Sequence, residues 1–379
     1  MINLILFGTF FIMLLLNIPI AVSLGTSAIL AMVYAHDPFT VISTNVYNGM
    51  AKFLLLAIPF FVLSGNIMAK AGISTRLVNF IDDCVGHRRG GIAIVCVIVA
   101  CFFGAISGSG PATVAALGII LIPAMINRGG FSAPFASAMM ATASSIAIVI
   151  PPSIAFVVYA SITGVSVGDM FMGGILPGIM MGLALVIIIM LEVRKRGLKA
   201  SRERASWGQR ARTFGTAFWG FLVPVIILGG IYSGLFTPTE AAAIAVFYGI
   251  IVSAFVYRNM GWKDFIHVLS ASASSTASIL FLVANAHIFS YLLSSEQIPQ
   301  KLAILMTSLT TNPTIIMFLI MIVLLIAGCF LDNAVAVILL TPIFVNVVQA
   351  MNIDICYFGV FLVFVLAIGQ VTPPVGLCL

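Results

Sequence analysis

The sequence has 379 residues, of which 62% are hydrophobic and 7% are charged. A soluble domain carries about 25% charged residues, so the composition excludes an ordinary soluble domain and predicts one polytopic, all-α integral membrane protein. The net charge of +6 is not a nucleic-acid footprint, because eight of the seventeen Lys and Arg residues lie between Arg194 and Arg212. Such a cluster predicts a cytoplasmic loop, and the expected partner is the lipid bilayer rather than a nucleic acid.

The six cysteines lie mostly in apolar runs, without a CxxC pair or a His/Cys cluster. This pattern favours core packing over a metal or disulfide role. The four histidines lack HExxH spacing, which argues against zinc chemistry. No cleavage pattern follows the first apolar run, so the N-terminus is predicted to be a permanent helix rather than a signal peptide.

The first apolar run, Met1 to Tyr34, is long enough for one kinked or steeply tilted span, with Asn17 and Pro19 at the kink. A second span is predicted at residues 53–69. Residues 77–85 are amphipathic and too short to cross a membrane. We expect them to form an arm that lies flat at the interface.

The apolar run 91–126 is interrupted by glycine, serine and proline at residues 104–113. In hydrocarbon an unpaired backbone group costs several kcal/mol, so a break at this depth must be buried by protein or line a wet cavity. Basic residues flank the run at 87–89 and at Arg128, which places both ends on the cytoplasmic side. The pattern favours a re-entrant hairpin with the break at its tip. The alternative is two full spans joined by a tight outer turn.

The run 131–162 is broken in its centre at Pro151-Pro152, where about one helical turn must unwind, so it is predicted to be a discontinuous helix. A span at residues 167–191 then leads to the basic loop at 194–213. The first predicted unit therefore covers residues 1–193.

The remainder, residues 214–379, repeats this order of elements. An amphipathic arm is predicted at 299–306, and the run 315–348 has the length of a second hairpin. Neither flank of that run carries Lys or Arg, so both ends are predicted to be external. A second discontinuous helix covers 358–379 and ends soon after its break, which suggests a chain incomplete at its C-terminus. Ordinary spans are predicted at 214–231, 241–257 and 269–292.

The two halves therefore match by type but have opposite sidedness, as an inverted repeat. The matching residues are Cys101 with Cys329, Pro123 with Pro342, and the double prolines 151–152 with 373–374. Inverted repeats with Gly/Pro-interrupted segments in corresponding places indicate a secondary transporter whose site lies at the midplane.

Asp332 is the only carboxylate deep in an apolar run of the second half. A charge at that depth marks an ion or substrate path. No cation is near it in sequence, so Na⁺ or a proton is the expected partner. An N-cap role for Asp332 is compatible with this interpretation.

Na⁺ takes oxygen ligands, which unwound carbonyls and hydroxyls supply. We predict two or more Na⁺ ions, although single hydroxyls back-bonded to their own helices are the alternative. The first predicted site contains Ser107, Ser109, Thr113, Ser144 and Ser145 with the carbonyls near Ile148 and Pro151; the second contains Gly328, Asp332, Gly369, Thr372 and Val375.

Hairpin helices also point their N-termini at the midplane, where the partial positive charge attracts carboxylates. The predicted substrate residues lie at the two tips and the two breaks: Ser107, Gly108, Ser109, Gly110, Pro152, Asp332, Asn333 and Pro373. A channel needs no inverted pair of tips, and a membrane enzyme usually holds several ionisable groups. A carrier that works without a binding protein, coupled to Na⁺ or H⁺, remains the main alternative.

Four motifs in order, at residues 107–113, 150–153, 230–241 and 372–376, resemble the large membrane subunit of TRAP (tripartite ATP-independent periplasmic) transporters of the dicarboxylate/sialate type. The likeness covers the whole chain, and residues 296–300 are similar to the C4-dicarboxylate members. The tip at 331–333 varies among family members of different substrate.

This resemblance implies an elevator-type fold shared with divalent-anion/sodium symporters, in the bacterial inner membrane. It implies a small four-helix membrane partner and a periplasmic solute-binding protein. The expected function is Na⁺-coupled uptake of a C4-dicarboxylate, sialate or sugar acid, without enzymatic activity.

Overall fold

The computed structural model describes residues 1–198, 200, 202–310 and 312–379. Within these ranges the chain is helical apart from turns and one isolated bridge between Arg89 and Ala200. The first-half helices are α1 (Ile2–Leu15), α2 (Ile20–Ala35), α3 (Phe39–Met50), α4 (Ala57–Lys70), α5 (Ile73–Val85), α6 (Gly91–Ser107), α7 (Gly110–Asn127), α8 (Ala133–Val149), α9 (Ile154–Thr163) and α10 (Val167–Arg196). The second-half helices are α11 (Trp207–Tyr232), α12 (Pro238–Ile251), α13 (Trp262–Ser295), α14 (Ile298–Leu309), α15 (Pro313–Phe330), α16 (Asn333–Ala350) and α17 (Ile355–Gly369).

Nine helical segments of the described chain are long and apolar enough to cross a membrane. The all-α polytopic class predicted from composition is therefore confirmed.

The N-terminal region differs from the prediction. The single kinked span is wrong, because α1 and α2 are separate helices that pack against each other. Asn17 between them has a left-handed φ of 60°, which ends a helix rather than bending it, and Pro19 then starts α2. The half-polar stretch after Pro38 forms α3, which packs on α13.

Both predicted hairpins are present. Gly108, at φ 61°, ends α6, and Ser109 caps the N-terminus of α7. Leu331 ends α15, and Asp332 caps the N-terminus of α16. The two tips line one cavity inside the protein. Full spans joined by an outer turn would place the tips on opposite surfaces, so the re-entrant interpretation is confirmed.

A discontinuous helix follows the first hairpin, whereas after the second hairpin the structure shows only the helix that precedes the predicted break. The chain is non-helical at Pro151-Pro152 between α8 and α9, and α17 ends at Gly369, before turns that include Pro373-Pro374. Counted from the capping residues Ser109 and Asp332, Pro123 lies farther from its tip than Pro342 does. Pro123 and Pro342 are therefore not equivalent positions. The ends of the helices, rather than these prolines, show which residues of the two halves correspond.

The helices pack as two groups. The group that carries the tips, here called the block, consists of α6–α9 and α15–α17, and α10 packs on its members α6, α8, α9 and α17. The second group, the scaffold, contains α2–α4 and α11–α13. The predicted arms contact both groups, because α5 packs on α6 and α11, and α14 packs on α16 and α13.

The basic loop is shorter than predicted, because α10 extends to Arg196 and α11 begins at Trp207. Lys199 and Ser201 of this predicted loop lie outside the described residues. Arg202 pairs with Asp82 (2.9 Å) and Asp83 (2.7 Å) of α5, so the loop is held against the first arm.

Candidate functional site

A cavity of about 70 Å³ lies between the two hairpin tips. The first tip contributes Ser109 and Gly110, and the second contributes Asp332 and Asn333. Gln370, directly after α17, also lines it. The chain therefore places the N-termini of α7 and α16 around one interior space, as the inverted repeat predicts.

The carboxylate of Asp332 is held by neutral donors. Its Oδ2 accepts the backbone N–H of Ala334 at 3.1 Å, which is an N-cap, and its Oδ1 accepts from Gln370 Nε2 at 3.1 Å. No salt bridge formed within the described ranges includes Asp332. A carboxylate at this position with neutral partners suits a bound cation.

Asn333 is the second polar group of this tip. Asn333 is 5% exposed, and neither its Oδ1 nor its Nδ2 has a hydrogen-bond partner among the described residues. A buried amide without partners costs roughly 1–3 kcal/mol per group. Since Asn333 lines the cavity, its amide is a ready donor and acceptor for a ligand.

The first tip holds a cluster of hydroxyl groups. Ser107 Oγ lies 3.1 Å from Thr113 Oγ1, and Thr113 Oγ1 donates to the Ser109 carbonyl at 2.8 Å. Ser109 Oγ accepts the Ala112 N–H at 3.5 Å and caps α7. The structure thus brings Ser107, Ser109 and Thr113 together.

The remaining first-site residues come from the end of α8. Gly104 allows close approach, because a Cβ there would lie 2.5 Å from the Cα of Ala147. Ser144 and Ser145 are fully buried, but their hydroxyls donate to carbonyls within α8, at 2.6 and 2.8 Å. A hydroxyl group that donates a hydrogen bond still has oxygen lone pairs, which can coordinate a cation. No hydrogen bond among the described side chains joins these serines to the tip cluster.

The break between α8 and α9 also contacts the first tip. Ile148 lines the cavity, and a Cβ on Gly108 would lie 2.7 Å from the Pro152 carbonyl oxygen. Pro151 lies beside it, buried like Pro152. Ser153 Oγ is buried and has no partner within the described chain. Sequence reasoning did not include Ser153 in the predicted site, although it directly follows the double proline.

The second predicted ligand set is only partly assembled. Gly328 and Gly369 are in backbone contact beside Asp332. Thr372 lies after the end of α17, and its Oγ1 donates to the Ile368 carbonyl of that helix at 2.9 Å. Val375 is 52% exposed, and Pro373 is also exposed. Neither Thr372 nor Val375 contacts the carboxylate, whereas Gln370, which sequence reasoning missed, does.

A second cavity, of about 160 Å³, lies beside the contact between the first tip and the scaffold. Ser107 and Ser109 line one side, and Asn66 of α4 and Ser275 of α13 line the other. Asn66 Nδ2 donates to Ser272 Oγ at 2.9 Å, so the scaffold wall is polar as well.

The donor chemistry fits a hard cation, which takes oxygen ligands, rather than a transition metal. No group of three His, Cys, Asp or Glu side chains that could hold a metal occurs in the part of the chain that the structure describes. The oxygen-rich tips, the partnerless Ser153 hydroxyl and the carboxylate with neutral donors are the ligand types that Na⁺ takes.

Two re-entrant tips and two helix breaks around an interior site define a polytopic membrane transport protein. One solved structure with this fold is the Alcanivorax borkumensis YdaH transporter, which has a TM-score of 0.59, 14% identity, and coverage of 88% of this chain and 76% of that one.

The family model described as "Tripartite ATP-independent periplasmic transporter, DctM component" matches residues 7–379. The chain belongs to this family, and it is an integral membrane subunit of the inner membrane that serves transport rather than catalysis.

Relatives are named for different organic anions. The C4-dicarboxylate TRAP transporter large permease protein DctM of Pseudomonas aeruginosa is 42% identical over 94% of this chain and 83% of its own length. The 2,3-diketo-L-gulonate TRAP transporter large permease protein YiaN of Escherichia coli is 36% identical over 91% and 81%. The isethionate TRAP transporter permease protein DctMQ of Oleidesulfovibrio alaskensis is 40% identical over 98% of this chain, which spans 59% of that protein.

Proposed function

We propose that this subunit performs secondary active, Na⁺-coupled uptake of a small organic acid. The observation that carries the proposal is the shared cavity between the two hairpin tips, where the Asn333 amide has no partner and Asp332 has only neutral donors. The relatives' names support the same class, since dicarboxylate, diketogulonate and isethionate are all small organic anions.

The anion would bind at the helix N-termini. The starts of α7 and α16 line the cavity, and the partial positive charge of a helix N-terminus attracts a carboxylate without a dedicated arginine. The Asn333 amide would donate one further hydrogen bond. A cavity of about 70 Å³ is much smaller than the roughly 300 Å³ of an ordinary ligand pocket. Substrate entry therefore requires the tips or the neighbouring scaffold to move apart.

Bound Na⁺ would supply positive charge beside the substrate anion. At the first tip, the hydroxyls of Ser107, Ser109 and Thr113 would hold one ion. At the second tip, the carboxylate of Asp332 would hold another, and its negative charge next to an anionic substrate makes the cation necessary for substrate affinity.

Alternating access would follow an elevator mechanism. The tips and breaks belong to one packed block, and the arms α5 and α14 contact both the block and the scaffold. Arms that lie flat at each interface would hold the scaffold at constant depth while the block moves. The proposed partners are a small four-helix membrane subunit and a periplasmic binding protein, in keeping with the word tripartite in the family description.

Vesicle uptake with controlled gradients tests this function. With the soluble binding protein and the small subunit present, a labelled C4-dicarboxylate, sugar acid or sialate should accumulate only under an inward Na⁺ gradient. Equal uptake with K⁺, or with a pH gradient alone, would refute sodium coupling. Full uptake without the binding protein would instead support the carrier that works alone.

A further inference from the structure

The side chain of Gln370 is a fully buried amide that the transport proposal above has not used. Its exposed fraction is 0%. Its Nε2 donates to Asp332 Oδ1 at 3.1 Å, and its Oε1 accepts from Cys378 Sγ at 3.5 Å. Burying an amide is unfavourable unless both of its ends are bonded. The two contacts therefore fix the position of this side chain.

A backbone contact brings Gln370 to the second tip. A Cβ on Gly328 would lie 2.9 Å from the Cα of Gly369, and a Cβ on Gly369 would lie 2.6 Å from the Cα of Gly328. Helices α15 and α17 touch here because neither residue has a side chain. Gln370 follows Gly369 directly, so this contact places its amide beside the capping carboxylate.

Asp332 is consequently held by two different elements. Its Oδ2 is fixed by the Ala334 N–H of α16, and its Oδ1 is fixed by Gln370 at the end of α17. Donors on both oxygens fix the plane of the carboxylate. The next residue, Asn333, presents its unpaired amide to the same cavity.

The first half of the chain has no such bond. Ser109 is the capping residue equivalent to Asp332, and Ile148 precedes its double proline by the same interval as Gln370 does. All four residues line one cavity. Because Ile148 has no hydrogen-bonding side chain, only the second tip has its capping group bonded by a side chain of the helix break.

We propose that Gln370 is a positioning residue that orients Asp332 and thereby sets the Na⁺ affinity of the second tip, while the neutral first tip does not depend on it. This inference rests on the proposed sodium coupling. It predicts that a substitution of Gln370 changes the Na⁺ affinity of the second tip and leaves the Na⁺ affinity of the first tip unchanged.

The thermal unfolding midpoint of the purified protein, measured as NaCl replaces KCl at constant ionic strength, tests the assignment without transport. Gln370→Leu keeps the approximate size and removes the donor, so the Na⁺ concentration for half-maximal stabilisation should rise about tenfold. Gln370→Met, which keeps the approximate length and removes both polar ends, should weaken Na⁺ binding by a similar factor. Leu362→Met, a buried change in the same helix away from the cavity, should leave the value unchanged.

A double-mutant cycle separates positioning from general structural support. If Gln370 acts through Asp332, then Gln370→Leu should change Na⁺ affinity less than twofold in the Asp332→Asn background. An unaltered Na⁺ affinity in Gln370→Leu, or a further tenfold loss in that background, would overturn the assignment.

The same cycle distinguishes failure of the sodium proposal from failure of this one. If the unmutated protein is not stabilised by Na⁺ over K⁺, sodium coupling is refuted. The thermal unfolding midpoints of the unmutated protein, Gln370→Leu, Asp332→Asn and the double variant, measured without Na⁺, then decide the role of Gln370. Non-additive midpoints support coupling between Gln370 and Asp332, and additive midpoints overturn it.

Discussion

Asp332 carries the only negative charge at the tips, and its described partners are neutral. Asp332→Asn removes the charge but keeps a side-chain oxygen that can cap α16. We expect the half-saturating Na⁺ concentration for uptake to rise at least tenfold, because interactions with a charged group are worth about 1.5–3 kcal/mol.

Asp354→Asn is the matched control. Asp354 caps α17 through Tyr357 N at 2.7 Å, as Asp332 caps α16, but it is exposed and does not line the tip cavity. It should keep the Na⁺ dependence of the unmutated protein. Equal Na⁺ dependence in both variants would assign Asp332 to capping alone.

The hydroxyl groups at the two tips are expected to differ. Ser107 belongs to the cluster around Thr113, whereas Thr372 is half-buried and bonded to a carbonyl at the end of α17. Ser107→Ala should therefore weaken Na⁺ about tenfold, and Thr372→Ala by much less, since loss of one ligand costs about 1–3 kcal/mol. The measurement is the Na⁺ dependence of initial uptake rates. A larger loss in Thr372→Ala than in Ser107→Ala would reverse this assignment.

At the scale of elements, the basic loop is fastened to the first arm by charge. The Asp82 carboxylate, 6% exposed, accepts from Arg128 at the end of α7 and from Arg202 of the loop, at 2.7 and 2.9 Å. Both arginines keep solvent contact, so Asp82→Asn should cost about 1–2 kcal/mol. The unfolding midpoint should fall by about 2–4 °C.

The same substitution should release the loop. We expect protease added from the predicted cytoplasmic side to cut residues 197–206 faster in Asp82→Asn than in the unmutated protein. Glu192→Gln, which removes the partly exposed carboxylate partner of Arg196, is the control and should leave the cutting rate unchanged. Cutting from the periplasmic side would contradict the predicted topology.

A glycine of the scaffold allows the first tip to pack on α4. A Cβ on Gly65 would lie 3.1 Å from the Cα of Ser107, and valine there would push the block away from its described position. Gly65→Val should reduce the uptake rate severalfold. A cysteine introduced at the tips should also be labelled faster by a thiol reagent added on the side of the membrane opposite to the one from which it is labelled without the substitution. Gly229→Val, where a Cβ meets nothing within 4 Å, should do neither.

The order of the helices was predictable because proline, glycine and charged residues clearly interrupt or flank the apolar runs of this sequence. The breaks at Pro151-Pro152 and at the tips fixed both hairpins to within a few residues. The separation of α1 from α2 was not predictable, since Asn17 and Pro19 are equally compatible with a kink. The Gln370 contact was missed because it depends on helices α15 and α17 touching at Gly328 and Gly369, which no local pattern encodes.

At the scale of the whole molecule, a polar contact between described residues joins the two groups of helices away from the tips. The Lys52 ammonium, on the scaffold side, donates to the Ser161 carbonyl at the end of α9 at 2.6 Å. Burial lowers the pKa of Lys52, and the carbonyl end of a helix favours a cation. An elevator movement of the block must break this contact.

Cross-linking this contact tests the central claim of block movement most directly. The native cysteines are replaced, and Lys52→Cys with Ser161→Cys is joined by a short, reducible bifunctional thiol reagent. The linked protein should lose uptake while Na⁺ still raises its unfolding midpoint, and reduction should restore uptake. A scaffold pair, Trp219→Cys with Tyr248→Cys, joins α11 and α12, which touch through Tyr248 Oη, and should keep uptake when linked. Full uptake through an intact link between Lys52→Cys and Ser161→Cys would contradict the elevator and favour local opening of the tips.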